Sequence, residues 1–315
     1  WIERIDFDEK TLHTTEGKSI GYDKLILALG SAPNKFGWPG QDLKRVRGLY
    51  TLQDLEAMEQ ASPEIERAVI VGGGLIGIEM GEMFHSRDIP VTFLVREASY
   101  WDNVLPPEES AMVSRHIREH GFDLRLSTEL KKVEDDGTGQ ACAVHTTDGE
   151  RIACEYVGLT AGVHPNISFL KDTPLETEKG ILADDHLQTN LPDVYAIGDC
   201  TNHPNPGLGR RLRLESVPNA MDQARVAAKN ICGGSATYDA VPWFWSDQYD
   251  LKLQMVGFSG EAEEDVLRGD PESGAFARFY LKDGKLIAVD AVNSPREFMA
   301  ARQLVAQKAP VTAAA

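Results

Sequence analysis

The sequence predicts an α/β chain: two similar units built on parallel sheets, followed by a smaller α+β unit. Three observations predict it. The first is a strand, glycine turn and helix pattern. The apolar run Ala68–Val71 leads into Gly72, Gly73, Gly74 and Gly77, with Ile76, Met80, Met83 and Phe84 at three- and four-residue spacing. The second is a duplication. Residues 13–34 align without gaps on residues 145–166, at a constant offset of 132 residues, and each copy reads as a turn, a strand and an apolar return strand ending in Gly-x-x-Pro-Asn. The third is a change of character after about residue 238, where tryptophans and an alternating hairpin pattern take over. The resulting division is 1–45 and 167–238 as two segments of one unit, 46–166 as the second, and 239–315 as the last.

Composition narrows the classes. The 315 residues are 42% hydrophobic and 26% charged, ordinary for a globular protein. A net charge of −17 argues against nucleic-acid binding. No apolar run approaches a membrane span and no signal peptide is visible. Cys142, Cys154, Cys200 and Cys232 show neither C-x-x-C nor metal spacing, and the eight histidines look scattered. Reduced cysteines in the cytoplasm, with no metal, are expected. In the second copy the glycine loop lies 73 residues before His145; the same interval before His13 falls ahead of residue 1. A first glycine loop is therefore expected outside this chain, which opens on Trp1.

In chain order, 5–7 and 19–28 read as strands, with Glu16-Gly17 as a turn. Residues 36–40, FGWPG, break the pattern and read as a crossover. A short acidic helix opens at 49–51 and runs through Gln60. The glycine loop comes next, and its context is that of dinucleotide binding. Gly72 permits the tight turn, Gly74 lets the backbone approach a pyrophosphate, and Gly77 lets helix and strand pack closely. The helix N-terminus, with Leu75 and Ile76, faces the anion. Glu79, read in the first turn, is expected to accept a hydrogen bond from a nicotinamide carboxamide; a plain complement to the helix dipole is the other reading. At the end of strand 91–95 the fingerprint wants an acid, but Val95 holds that place, followed by Arg96 and Glu97. Glu97 suits a ribose hydroxyl and NADH, Arg96 a 2′-phosphate and NADPH, and both read equally as surface charges.

Residues 108–120 read as a helix and 124–126 as a strand. Residues 131–133, 140–145 and 151–156 form a meander with Asp-Gly turns. Residues 157–161 return to the sheet and end at Gly162, at the ligand edge, as Gly30 ends the first copy. A short buried strand, 194–197, delivers Gly198 and Asp199, well placed for a ribose or ribityl hydroxyl or simply a turn aspartate. Ser216 and Pro218 start a helix with Ala220, Met221, Ala224, Ala227, Ala228 and Ile231 on one face. Its positive end at Val217-Pro218 suits the N1–C2=O edge of a reduced flavin. Residues 276–281 and 285–292 form a hairpin around Asp283-Gly284. Ser294, Pro295 and Glu297 look like a helix start with a capping box, burying Phe298, Ala301 and Val305, and the tail 310–315 reads as disordered.

LALGSAPN, VGGGLIGIEMGE, LTAGVHPN and DVYAIGDC, in this order and spacing, resemble the FAD-dependent pyridine nucleotide oxidoreductase family over nearly the whole chain. RRLRLESVPNAMDQARVAA and VPWFWSDQYDLKLQMVG resemble its ferredoxin and rubredoxin reductase group, while VTFLVREASYWDNVLPPEES resembles NADH oxidase or nitrite-reductase flavoproteins. The resemblance implies two Rossmann-like dinucleotide-binding domains and the cofactors FAD and NAD(P)H, with NADH favoured at Gly72, Gly74 and Gly77. It implies that Asp199 binds the flavin's ribityl or phosphate region and that the Val217-Pro218 helix start faces the flavin pyrimidine. It places Trp245, with Trp243 near it, beside the isoalloxazine and the partner surface. Electrons then pass to a ferredoxin- or rubredoxin-like protein, expected to dock at Arg210, Arg211 and Arg213 unless these pair with neighbours such as Glu215. The missing loop makes weak FAD binding by this chain alone the expectation. The alternatives are an NADH oxidase and an NADH-responsive interaction protein resembling apoptosis-inducing factor.

Overall fold

The four apolar residues of Ala68–Val71 are all buried, as a strand covered on both faces requires. In a computed structural model, which describes residues 1–310, this strand is the middle of a five-stranded parallel sheet. The order is Val46–Arg47, Tyr156–Leu159, Ala68–Val71, Val91–Leu94 and Asp123–Arg125. Side chains alternate between its faces. Ile70 and Phe93 meet the helices, while Val69, Val71 and Leu94 meet the meander strands Leu130–Asp135, Ala141–Thr146 and Arg151–Ala153.

The helices follow their signals closely. Helix α1 (Leu52–Ala61) is capped by Thr51, whose side chain and that of Asp54 form a capping box. Helix α2 (Leu75–His85) buries Gly77, Ile78, Met80, Gly81 and Phe84, so Ile76, expected in the apolar stripe, is instead 37% exposed. Helix α3 (Pro107–Glu119) packs Met112, Val113 and Ile117 into the same core.

The duplication is visible in three dimensions. Ser19–Gly21 and Arg151–Ala153 are equivalent strands, as are Ser31–Pro33 and Val163–Pro165, each pair at the sequence offset of the repeat. The expected single strands 19–28 and 151–156 are both broken at the same place, where the chain leaves the meander and enters a parallel sheet. The two copies then meet. Ser31–Pro33 pairs antiparallel with Val163–Pro165. Asn34 N donates to Gly162 O and Asn166 N to Gly30 O, both at 3.0 Å. The side-chain amides repeat the exchange: Asn34 Nδ2 donates to Ala161 O at 3.3 Å and Asn166 Nδ2 to Leu29 O at 3.1 Å. The exchange is a local two-fold between the halves of the repeat.

On the other side of that axis, Leu25–Leu27 pairs parallel with Val194–Ala196. Ile5, Leu27, Leu170, Ile181, Val194 and Cys200 share one core. Helix α4 (Val217–Ile231) lies over the Gly198–Cys200 turn. Its buried face differs from the expected one. Asn219, Gln223 and Asn230 are inside with Ala227, while Met221 is 50% exposed. Hydrogen bonds explain the exchange: Gly198 N donates to Gln223 Oε1, Tyr238 Oη to Asn219 Oδ1, and Asn230 Nδ2 to the His186 carbonyl.

The C-terminal sheet is antiparallel, in the order Trp243–Gln248, Leu251–Gly257, Lys285–Val292, Ala275–Lys282, Glu264–Asp270. The last of these strands escaped notice because it is an exposed edge without alternation. Helix α5 (Pro295–Ala306) buries Phe298, Ala301 and Val305 as expected, but Ser294 makes no side-chain cap, so the capping box is absent. The opposite face of the sheet joins the core of α2 and α3 through Leu253, Met255 and Phe276. Arg278 ties this seam by donating to Glu108, Glu109 and Asp265. No helix among the described residues is long and apolar enough to cross a membrane. Residues 311–315, most of the tail, lie outside the described residues.

Candidate functional site

A groove of about 500 Å³ opens at the C-terminal edge of the five-stranded sheet, lined by Gly72, Gly73, Gly74, Arg96, Glu97 and Gly162. The glycines divide their work as the fingerprint requires. Gly72 has φ +125°, and a Cβ there would stand 2.5 Å from the Thr160 carbonyl oxygen. At Gly73 a Cβ would reach within 2.8 Å of Val95 Cγ1, and at Gly77 within 3.0 Å of Thr160 Oγ1. These three positions are closed by protein. Gly74 is different: a Cβ would meet nothing nearer than the Thr160 carbonyl at 3.9 Å, on the open side of the groove. Gly74 is also the N-cap of α2, and no side chain caps that end. The first-turn N–H groups, Leu75 and Ile76 among them, are left for an anion. The residues present fit a dinucleotide pyrophosphate.

Arg96 and Glu97 both line the groove and pair with each other at 2.8 Å, with Arg96 the more exposed of the two. Phe36 and Trp38 also line it, in edge-to-face contact at 5.2 Å. Reading FGWPG only as a breaker missed them, although two aromatics in a turn were the available signal.

Across the repeat axis, Asp199 occupies the place corresponding to a second ligand edge. Its carboxylate accepts from Ser31 Oγ at 2.8 Å and its carbonyl from Arg213 Nη1 at 3.0 Å. Ser31 N in turn donates to the Tyr50 hydroxyl at 2.7 Å. Gly30, at φ +63°, and Gly198, at φ +74°, provide the two turns. Asp199 is half-buried, with one carboxylate oxygen uncommitted to protein, and α4 begins directly above the Gly198 turn. Pro218 is buried at that start and Val217 is 60% exposed. These donors and acceptors fit a polyhydroxylated phosphate ester such as the flavin nucleotide.

The strand Trp243–Gln248 packs against both α2 and α4, the helices that start at the two edges. Trp245 is 44% exposed and stacks on Trp243 at 5.5 Å, over which the Arg302 guanidinium sits at 4.1 Å. Glu79 belongs to the second turn of α2 rather than the first, which removes the helix-dipole reading. Burial, and then the neighbouring Glu82, raise its pKa. It is not part of the groove lining, and lies on the stretch of α2 where Glu82 accepts from Tyr249 N.

Two of the three expected docking arginines are occupied. Arg211 donates to the Ala183 and Asn202 carbonyls, and Arg213 pairs with Glu215 at 2.6 Å besides holding Asp199. The histidines are not scattered as expected: His116, His120 and Asp250 converge. No disulfide joins the cysteines.

Residues 2–224 match the family model described as pyridine nucleotide-disulphide oxidoreductase, and residues 243–315 match that described as reductase C-terminal. The chain is 39% identical over 305 residues to the ferredoxin reductase subunit of a 5,5′-dehydrodivanillate O-demethylase from Sphingobium sp., covering 96% of this chain and 74% of that protein. It is 34% identical over 315 residues to putidaredoxin reductase of Pseudomonas putida, covering 98% and 74%. Its fold resembles the crystal structure of the ferredoxin reductase for the CYP199A2 system of Rhodopseudomonas palustris, with a TM-score of 0.93, 31% identity, and coverage of 99% and 77%. It also resembles the reductase in a covalent putidaredoxin reductase–putidaredoxin complex, with a TM-score of 0.90, 33% identity, and coverage of 97% and 74%.

Proposed function

The chain belongs to the pyridine nucleotide-disulphide oxidoreductase family, and from that premise we propose that it is an NADH-dependent flavoprotein reductase, with FAD as its cofactor, serving a small ferredoxin- or rubredoxin-like carrier. The observation that carries the reading is that Trp243–Gln248 packs against both α2, whose N-terminus opens on the dinucleotide groove, and α4, which lies over the Gly198–Asp199 turn. Bound FAD supplies the conversion between hydride transfer and single-electron transfer. The chain's own residues position and insulate.

Gly72, Gly73, Gly74 and Gly77, with the first turn of α2 at Leu75 and Ile76, hold the pyrophosphate of NADH. Glu97 accepts from the adenosine ribose and neutralises Arg96, which favours NADH over NADPH. Glu79 orients the carboxamide. Gly30, Gly198 and Asp199 hold the flavin nucleotide, Gly162 leaves room at the groove edge, and the Val217-Pro218 start of α4 sets a positive dipole end at the pyrimidine. Trp245 shields the site on the carrier side. In this reading 1–45 with 167–238 serves the flavin, 46–166 serves NADH, and 239–315 closes the site. Docking by charge falls mainly to Arg210, since Arg211 and Arg213 are occupied. We place it in the cytoplasm, where cysteines are kept reduced.

The rival reading is an NADH oxidase. The test is anaerobic stopped-flow with the FAD-loaded protein. Reduction by NADH should be followed by reoxidation that is faster with an acidic [2Fe–2S] ferredoxin than with O₂. Equal or faster reoxidation by O₂ would replace the carrier reading with the oxidase one.

A further inference from the structure

Helix α3 presents His116, and its C-cap residue His120 follows one turn on. The tight turn after Trp243–Gln248 brings Asp250 against them from the C-terminal sheet. Asp250 Oδ1 lies 3.1 Å from His116 Nε2 and 3.6 Å from His120 Nε2. The Gln248 carbonyl oxygen is 3.3 Å from His116 Nε2. We propose that His116, His120 and Asp250 bind a divalent transition-metal ion, of which Zn²⁺ fits best, at the seam between α3 and the C-terminal sheet.

The spacing carries the proposal. Zinc bonds of about 2.0–2.1 Å in a tetrahedron place ligand atoms roughly 3.3–3.4 Å apart. The His116–Asp250, His116–Gln248 and His120–Asp250 separations, 3.1, 3.3 and 3.6 Å, lie around that value, and the three side-chain ligand atoms all fall within 4.8 Å of one another. Two imidazoles and a carboxylate are a zinc-type donor set, and the Gln248 carbonyl or a water completes four. The outer contacts orient the ligands. His120 Nδ1 lies 2.9 Å from the His116 carbonyl, which can only accept, so the proton sits on Nδ1 and the Nε2 lone pair faces the centre. His116 Nε2 faces only acceptor oxygens, so without an ion it must carry a proton there, and an ion takes that proton's place. Tyr249 stacks on His120 at 4.1 Å, and its hydroxyl lies 2.7 Å from His85 Nδ1. The turn bearing Asp250 is thereby held in position.

The consequence is a clip. Two ligands come from the end of α3 and one from the C-terminal sheet, so the ion fastens a seam already held by Arg278, by Tyr249 on Glu82 and His85, and by apolar packing. The competing reading is a bare His–Asp pair. Metal-stripped, FAD-loaded protein is titrated with Zn²⁺ by calorimetry and melted with and without Zn²⁺. One ion per chain should bind with a Kd in the micromolar range or below and raise the Tm. His120→Ala and Asp250→Asn should each weaken binding by about 100-fold or more, beyond the 10–100-fold typical of outer-shell losses. His13→Ala, on a distant strand, should bind as wild type. Substituted Co²⁺ should give the intense visible bands of a tetrahedral site. Absence of stoichiometric binding, equal binding by the two ligand variants, or the pale spectrum of an octahedral ion would overturn the proposal. A Tm loss in His120→Ala that is the same with and without Zn²⁺ would leave the bare pair in its place.

Discussion

The two halves of the repeat, 13–34 and 145–166, share a backbone plan and differ in what surrounds their glycines. In the first, the Tyr50 hydroxyl covers Gly30 and accepts from Ser31 N, while Ser31 Oγ donates to Asp199. In the second, Gly162 lies open on the dinucleotide groove, and a Cβ there would meet only Asn34 Nδ2, at 3.2 Å. One half is therefore braced from behind and the other left accessible. The common part is the clamp at the axis, where each asparagine bonds the backbone of the opposite half. Duplication supplied a frame, and the neighbours brought by the rest of the chain specialised each edge.

Substitution at the braced glycine should break the comparison hardest. Gly30→Ala forces a left-handed conformation on a residue with a Cβ, about 1–2 kcal/mol. It also displaces the Tyr50 hydroxyl from Ser31 N, roughly another 1 kcal/mol. Urea unfolding should register a combined loss of about 2–3 kcal/mol; a loss below about 1 kcal/mol would mean that Tyr50 braces nothing. The clamp comes next. Asn166 Nδ2 donates to both Leu29 O and Ser31 O at 3.1 Å, whereas Asn34 Nδ2 donates to Ala161 O alone. Asn34 Oδ1 also bonds His164 Nδ1 at 2.9 Å, but that bond is solvent-exposed, so Asn166→Ala should cost about 2 kcal/mol and Asn34→Ala about 1 kcal/mol; equal values would mean that the exposed bond counts as much as a buried one.

Gly162→Ala sharpens the contrast from the other side. Its φ of +80° brings the same backbone penalty, about 1–2 kcal/mol, without a displaced hydroxyl. Because the new methyl enters the groove, NADH affinity should fall about tenfold, or 1.4 kcal/mol, in a fluorescence titration. Unchanged affinity would move the nucleotide away from this edge.

The smallest difference is one of pH. His145 contacts Glu134 at 2.5 Å, while its counterpart His13 contacts only Ser19 Oγ. Arg151, and then His145, hold the Glu134 carboxyl down at about 2 from its ordinary 4.5. A lowered carboxylate stabilises fully above its unfolded value and loses that contribution as pH falls through about 2. Glu134→Gln should lower the Tm slightly at neutral pH, with the gap closing as pH falls below 4.5 toward 2. A pH-independent gap would remove the linkage, and His13→Ala should show none.

Features governed by local chemistry were the legible ones. The buried strand at 68–71, the glycine loop and the repeat were readable because periodicity and turn residues lie in contiguous sequence. Reading α4 by apolar residues failed because its inner face is polar and satisfied by partners such as Gly198 N and Tyr238. The alternative reading of the arginines, pairing with Glu215, holds for Arg213, while their bonds to the backbone carbonyls of Ala183, Asn202 and Asp199 were not legible because carbonyls have no signature in the sequence. His116, His120 and Asp250 went unseen for a similar reason: an i, i+4 histidine pair was present, but its acid is 130 positions further along.

The parallel pairing of Leu25–Leu27 with Val194–Ala196 also has a temporal meaning. The earlier strand leaves the ribosome roughly 170 residues before its partner, which at ~5–20 residues per second is a delay on the order of ten to thirty seconds. The contiguous sheet around Ala68–Val71 can assemble in that interval, while the edge of Leu25–Leu27 that Val194–Ala196 will cover waits for it. Such an edge invites association with other nascent chains. The yield of this protein in a cell should therefore depend on whatever shields that strand during synthesis.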